Sequence, residues 1–133
     1  MRRCQAGHTG SPKLGRAMGS DPPSPRVVSF DGAAAEHDPD VRDIEQEIDG
    51  VRWALVEYAP RAGRTEWCDS PHSGYMLNGE LQYEFQDGSP EMRVAAGQAF
   101  RLPAAPAHRG RNRGSKPARL FIIDALPARP CQG

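Results

Sequence analysis

The sequence predicts an all-β domain, an antiparallel sandwich or barrel. Runs rich in β-branched and aromatic residues recur at intervals of about 8–12 residues, each bounded by Gly or Pro turn residues. Several of these runs alternate in polarity, and no stretch sustains the pattern of a long helix. With 133 residues there is room for one domain and a modest core.

Residues 1–25 are rich in Gly, Pro, Ser and Arg with isolated apolar side chains, too few to offset the entropy of ordering, and read as a disordered basic tail. Met18, just ahead of a Gly-Ser-Asp-Pro-Pro run, is an alternative start. The barrel is expected over residues 26–128, with a short C-terminal tail over 129–133. Val27–Phe30 is the first expected strand, followed by a polar connection over Ala33–Asp40 with room for one helical turn. Arg42 to Tyr58 reads as extended chain broken at the turn dipeptide Asp49-Gly50. Thr65–Cys68 is expected as a short strand, and His72–Phe85 as a hairpin about Asn78-Gly79, the dipeptide that favours a two-residue turn. Met92–Ala95, Ala99–Leu102, His108–Asn112 and the apolar run Ala118–Leu126 complete the strands, with turns at Asp87-Gly88 and Gly97.

Acidic and basic residues both number 17, so net charge suggests neither a nucleic-acid partner nor an anionic membrane surface. No window approaches a membrane span, and the basic N-terminus lacks the apolar segment of a signal peptide. Of three cysteines, Cys4 and Cys131 lie near the termini, where no disulfide framework would be anchored. A reducing, cytoplasmic setting is therefore expected.

Two spacings carry chemistry. Gly97, five residues, Pro103, Ala105, two residues, His108, three residues and Asn112 form the first; Glu66-x-Cys68-x-x-x-His72 followed after six residues by Gly79 forms the second. The first resembles the second signature motif of the cupin family, with Ala105 in place of a glycine. The other keeps the spacing of the cupin first motif, His-x-His then Glu, while changing every ligand type. Cys68-Asp69-Ser70-Pro71-His72-Ser73-Gly74-Tyr75 is also similar to a Cys-x-x-Pro-His-x-Gly-Tyr signature of small single-domain cupins. The resemblance spans about Val51 to Asp124. It implies a single cupin barrel, a double-stranded β-helix or jelly roll, and a homodimer paired through an N-terminal strand such as Val27–Phe30.

Alternation along Thr65–Cys68 would put Glu66 and Cys68 on one face, where His72 and His108 would join them. A thiolate with imidazoles favours zinc or iron, ahead of manganese or nickel. Glu66 stands as a fourth ligand, a base or a solvated rim carboxylate. The plain alternative makes Cys68 a small buried hydrophobe and the histidines hydrogen-bonded core residues. Gly74 shares the inward parity and would leave room above a metal. Trp67 would pack between sheets or at a dimer contact, and Arg109, Arg111 and Arg113 fall on the outer parity, a solvated face. Three functions fit: a metal-dependent enzyme on a small organic molecule, a non-catalytic sensor or storage module for a metal or small molecule, and a metal-free structural cupin.

Overall fold

The computed structural model describes residues 24–32 and 35–125. Nine strands follow in order: β1 (Ala35–Asp38), β2 (Val41–Ile48), β3 (Val51–Tyr58), β4 (His72–Asn78), β5 (Glu80–Phe85), β6 (Met92–Ala95), β7 (Ala99–Leu102), β8 (His108–Arg111) and β9 (Ala118–Ala125). Every pairing is antiparallel; β1-β2-β3-β9-β4-β7 form one sheet and β6-β5-β8 the other. The expected all-β class holds, and among the described residues there is no helix. The tail over residues 1–23, Met18 as a start, and the C-terminal tail lie outside the described residues.

Strand alternation builds the interior. On β3 the inward set is Arg52, Ala54, Val56 and Tyr58, and on β9 it is Ala118, Leu120, Ile122 and Asp124, all buried. Met76, Leu81, Tyr83 and Leu102 meet them from β4, β5 and β7, so both sheets bury one face against the other. Six apolar and two charged residues on the inward parity of β3 and β9 make the interior polar at one end, where Arg52 and Asp124 pair across the strands.

Asp49 (φ 54°) and Gly50 (φ 76°) both take the left-handed conformation, and Ile48 pairs with Val51, which is the expected two-residue hairpin. Asn78-Gly79 is different. β4 pairs with β7 and β9, whereas β5 pairs with β6 and β8, so the expected hairpin is instead a corner where the chain leaves one sheet for the other. Only Gly79 is left-handed there, with φ 72°. The dipeptide records a need for positive φ, which a corner has as much as a hairpin does. A Cβ on Gly79 would lie 2.5 Å from the Pro117 carbonyl oxygen. Gly79→Ala therefore combines backbone strain with a backbone clash and is expected to lower the unfolding free energy by about 2 kcal/mol. Urea denaturation reads this directly, and an unchanged midpoint would refute it.

Three other expectations change. Ala35–Asp38 is an edge strand paired with β2 rather than a polar connection. Val27–Phe30 is not a strand; the Phe30 ring packs edge-on against Phe121 at 5.6 Å, and Gln46 Nε2 donates to the Ser29 carbonyl at 3.1 Å, so side chains rather than a ladder hold this segment to the outer face of the large sheet. Thr65–Cys68 is not a strand either. The chain from Gly63 to Cys68 meets β8 through two isolated bridges, Gly63 with Arg111 and Cys68 with His108.

Candidate metal centre

The last of these changes decides the make-up of the site. Cys68 and His108 are a hydrogen-bonded antiparallel pair: Cys68 N–H donates to the His108 carbonyl at 2.8 Å, and His108 N–H returns to the Cys68 carbonyl at 2.9 Å. Residues directly opposite in such a pair project to the same side. His72, the first residue of β4, arrives from the other sheet on the inward parity. One donor atom from each of Cys68, His72 and His108 falls within 4.8 Å of the others, and all three residues are buried. The Cys68 Sγ to His72 Nε2 distance is 3.5 Å. Ligands around a tetrahedral zinc ion, at about 2.0–2.3 Å from it, sit about 3.3–3.7 Å apart, so this edge already has coordination length.

Each imidazole is prepared differently. His72 Nδ1 lies 2.6 Å from Asp124 Oδ2, and Arg52 donates to the same oxygen at 2.9 Å. A carboxylate paired to a guanidinium only accepts, so Nδ1 carries the hydrogen, and in the neutral ring the Nε2 lone pair faces Cys68. Arg52 also donates to Glu45 at 2.6 Å. Burial alone would depress the Arg52 guanidinium, but the hydrogen bond and charge of Glu45, with the charges of Asp124 and Asp43, raise it above its ordinary value. His108 has no such support. Both of its ring nitrogens are buried without a hydrogen-bond partner, on a residue with 0% exposure. Burial, reinforced by His72 and opposed by Asp124 and Asp69, lowers its pKa to about 4, so the ring is neutral at physiological pH.

Cys68 is disulfide-bonded. The chain's other two cysteines, Cys4 and Cys131, lie outside the described residues.

The remaining expected site residues fall elsewhere. Glu66 is exposed and outside the cluster, because without a strand no alternation aligns it with Cys68. Gly74 is inward, but a Cβ there would lie 2.5 Å from the Phe100 ring, so the space it leaves is filled by Phe100 rather than held open above a metal. Arg109, Arg111 and Arg113 do occupy the outer face, where all three donate to Glu84. The Arg109 guanidinium also covers the Trp67 ring at 4.1 Å. Asn112 is structural: its Nδ2 donates to the carbonyls of Lys116 at 2.8 Å and Ala59 at 3.1 Å, tying β8 to the turn after it and to the end of β3. Asp124 and Arg52 were not expected in the site. The available signal was parity, since each is the charged residue on an inward set that is otherwise apolar or aromatic.

These two sheets, with one imidazole at the start of β4 and another at the start of β8, match a known architecture. The family model of the cupin domain matches residues 54–124. The chain belongs to the cupin family. No individual curated protein matches this cupin by sequence. Its fold is similar to that of the polyketide cyclase RemF from Streptomyces resistomycificus, at 17% identity and TM-score 0.63, covering 80% of this chain and 84% of the cyclase. It is also similar to an oxalate oxidase, at 20% identity and TM-score 0.59, covering 73% of this cupin and 57% of the oxidase. A third likeness is to a sugar phosphate isomerase of the cupin superfamily from Silicibacter pomeroyi, at 16% identity and TM-score 0.53, covering 64% and 59%. This cupin thus spans less than two thirds of the latter two chains, and likenesses at such identities show the shared jelly-roll fold alone.

Proposed function

We propose that this cupin binds one divalent metal ion, zinc or iron, through Cys68 Sγ, His72 Nε2 and one ring nitrogen of His108, and presents it to a small organic molecule inside the barrel. His108 is the observation that carries the proposal. A neutral imidazole buried with neither nitrogen satisfied costs several kcal/mol unless a partner arrives, and the lone pair of such a ring suits a metal. The donor set fits zinc or iron, and three protein ligands leave a fourth position open, as catalytic sites do. When bound, such an ion supplies a Lewis acid and an activated water. The chain's part is to hold the ligands: Asp124 fixes the His72 tautomer and ring, Arg52 fixes Asp124, and the backbone pairing fixes Cys68 beside His108. Glu66, exposed, takes no part. The relatives' names include a cyclase, an oxidase and an isomerase, so they do not choose a substrate or decide between turnover and plain binding.

The test is metal analysis of tag-free protein reduced beforehand. One equivalent in the wild type, lost in Cys68→Ala and His108→Ala with the folded circular dichroism spectrum retained, is the expected result. Failure of reduced wild type to take up zinc, iron or manganese would overturn the proposal. Asp124→Asn keeps the shape of the second partner but not its charge, and is expected to weaken zinc binding about 10–100-fold; competition with a chromophoric chelator measures it, and an unaltered affinity would remove Asp124 from the site.

The proposed setting is a reducing cytoplasm, which would keep the Cys68 thiolate available. The proposed assembly is a homodimer, supported by Tyr75, Leu77 and Ile123, 45%, 40% and 43% exposed on the outer face of the large sheet. Light scattering at micromolar concentration distinguishes dimer from monomer.

A further inference from the structure

We infer that Tyr58 and Tyr83 select the molecule this cupin takes, their phenol O–H groups donating to the oxygens of a small organic monoanion, a carboxylate, held beside His108. The inference rests on the metal-site reading above and adds the ligand's chemistry to it. Tyr58 closes the inward set of β3 and Tyr83 lies on the inward parity of β5; both are 0% exposed. Neither hydroxyl oxygen has a hydrogen-bond partner among the described residues, and neither ring nitrogen of His108 has one. The Arg64 guanidinium lies over the Tyr58 ring, 5.5 Å from its centroid, but a guanidinium can only donate, so the Tyr58 hydrogen still needs an acceptor.

These three side chains adjoin. The Tyr83 ring stands edge-on to that of His108 at 5.9 Å and packs against that of Phe100 at 5.3 Å. Gly110 is the next inward residue after His108 on β8, and it pairs with Tyr83. A Cβ there would lie 2.5 Å from Tyr58 Oη and 3.2 Å from Tyr83 Cε1, so a glycine is what lets both phenols close over β8 next to His108. A phenylalanine in either place would present the same ring and strand no polar atom. The two hydroxyls therefore add a burial cost without adding packing, and that cost is offset when an acceptor enters the barrel.

Donor type and charge decide which acceptor. Both groups are phenols at neutral pH, so each brings one O–H. Arg64 is matched by Asp43 at 2.9 Å and Arg52 by Asp124 at 2.9 Å, and these two buried pairs cancel. A divalent ion with one thiolate and two neutral imidazoles then carries one positive charge, which a monoanion neutralises. A carboxylate has two oxygens that only accept, and hydrogen bonds to an ionised acceptor are about twice as strong as neutral ones. The neighbouring interior, with Met76, Leu81, Leu102, Leu120 and Ile122, is buried and apolar, so the ligand is small.

The experiment uses full-length, tag-free, reduced protein loaded with cobalt(II) and titrated with acetate, or with acetamide as a neutral molecule of the same shape, the visible cobalt bands being the readout. Acetate is expected to shift the bands saturably in the wild type, and acetamide to bind at least about 10-fold more weakly. Tyr58→Phe and Tyr83→Phe are each expected to weaken acetate about 10–100-fold at unchanged cobalt affinity. In metal-free protein the same variants should melt at the wild-type temperature or above it, since each removes an unpaired buried hydroxyl. A role confined to the fold predicts the reverse, so a lowered melting temperature would overturn the proposal. Cobalt-loaded protein that ignores acetate, binds acetamide as tightly, or keeps its acetate affinity in both variants would also overturn it while leaving the metal site standing. Failure to take up cobalt would overturn the metal site itself, and the ligand reading with it.

Discussion

Arg52→Ala is expected to lower the unfolding free energy by about 3–5 kcal/mol, the cost of leaving a buried carboxylate without its counter-charge. The Arg52 side chain is 4% exposed and that of Asp124 is 2% exposed; they face each other across β3 and β9 and are joined at 2.9 Å. Without the guanidinium, Asp124 keeps only His72 Nδ1 at 2.6 Å and a long contact from the Ser73 N–H at 3.4 Å. Neither brings a permanent positive charge. Glu45 loses its partner too, but its side chain is 41% exposed and water can replace the guanidinium there, so the loss on that side is small. The strand position offers no escape, because Arg52 points inward with Ala54, Val56 and Tyr58 and an alanine there leaves a cavity beside the charge. Urea denaturation of protein held in one redox state measures the change. Arg52→Leu/Asp124→Leu separates charge from packing: it should recover much of the loss by removing the stranded carboxylate along with its partner. A double variant no more stable than Arg52→Ala would mean that packing, not the unpaired charge, dominates.

The same strands show what was legible in the sequence. Alternation and turn residues located β2 through β9 apart from the bridge at Cys68, and motif spacing brought Cys68, His72 and His108 to one place, because strand register and turn length are set locally. Sheet membership is not local. Asn78-Gly79 satisfies the same dihedral requirement in a corner as in a hairpin, and only the competition among β7, β9, β6 and β8 for partners decides between them. Glu66 was misplaced for a related reason: alternation orients side chains only where a ladder holds the backbone, and between Gly63 and Cys68 none does. Phe100 filling the space beside Gly74 depends on a residue distant in the chain. Asp124 and Arg52 were readable in principle. A charged residue on the buried parity of a β-strand needs a partner of opposite sign, and each was the other's candidate.

Acidification of the metal-free protein is expected to remove stability before the carboxylates titrate. His108 takes up a proton at about pH 4 when folded, against 6.5 as an ordinary histidine, chiefly because burial penalises the charged ring, with His72 adding to the effect and Asp124 and Asp69 opposing it. Between those limits the unfolded chain holds a proton that the folded barrel refuses, so the unfolding free energy is at its full value above pH 6.5 and falls as pH drops. At about 1.4 kcal/mol for each pH unit, the interval down to pH 4 amounts to about 3 kcal/mol, an order-of-magnitude figure of which the part above pH 5 is the cleanest to observe. Below that, Glu84, whose pKa is lowered first by its hydrogen bond to Arg109 and further by Arg111, begins to lose its own contribution as pH falls below the ordinary value of 4.5. Urea midpoints at pH 7, 6 and 5, on chelator-treated protein in one redox state, should therefore decline steadily in the wild type. In His108→Leu, an apolar side chain of similar size with nothing to titrate, the decline should be reduced by about the His108 share. Parallel pH profiles for the two proteins would show that His108 is not the group responsible, and would place the ring in contact with a partner that keeps its affinity for protons the same in the folded and unfolded states.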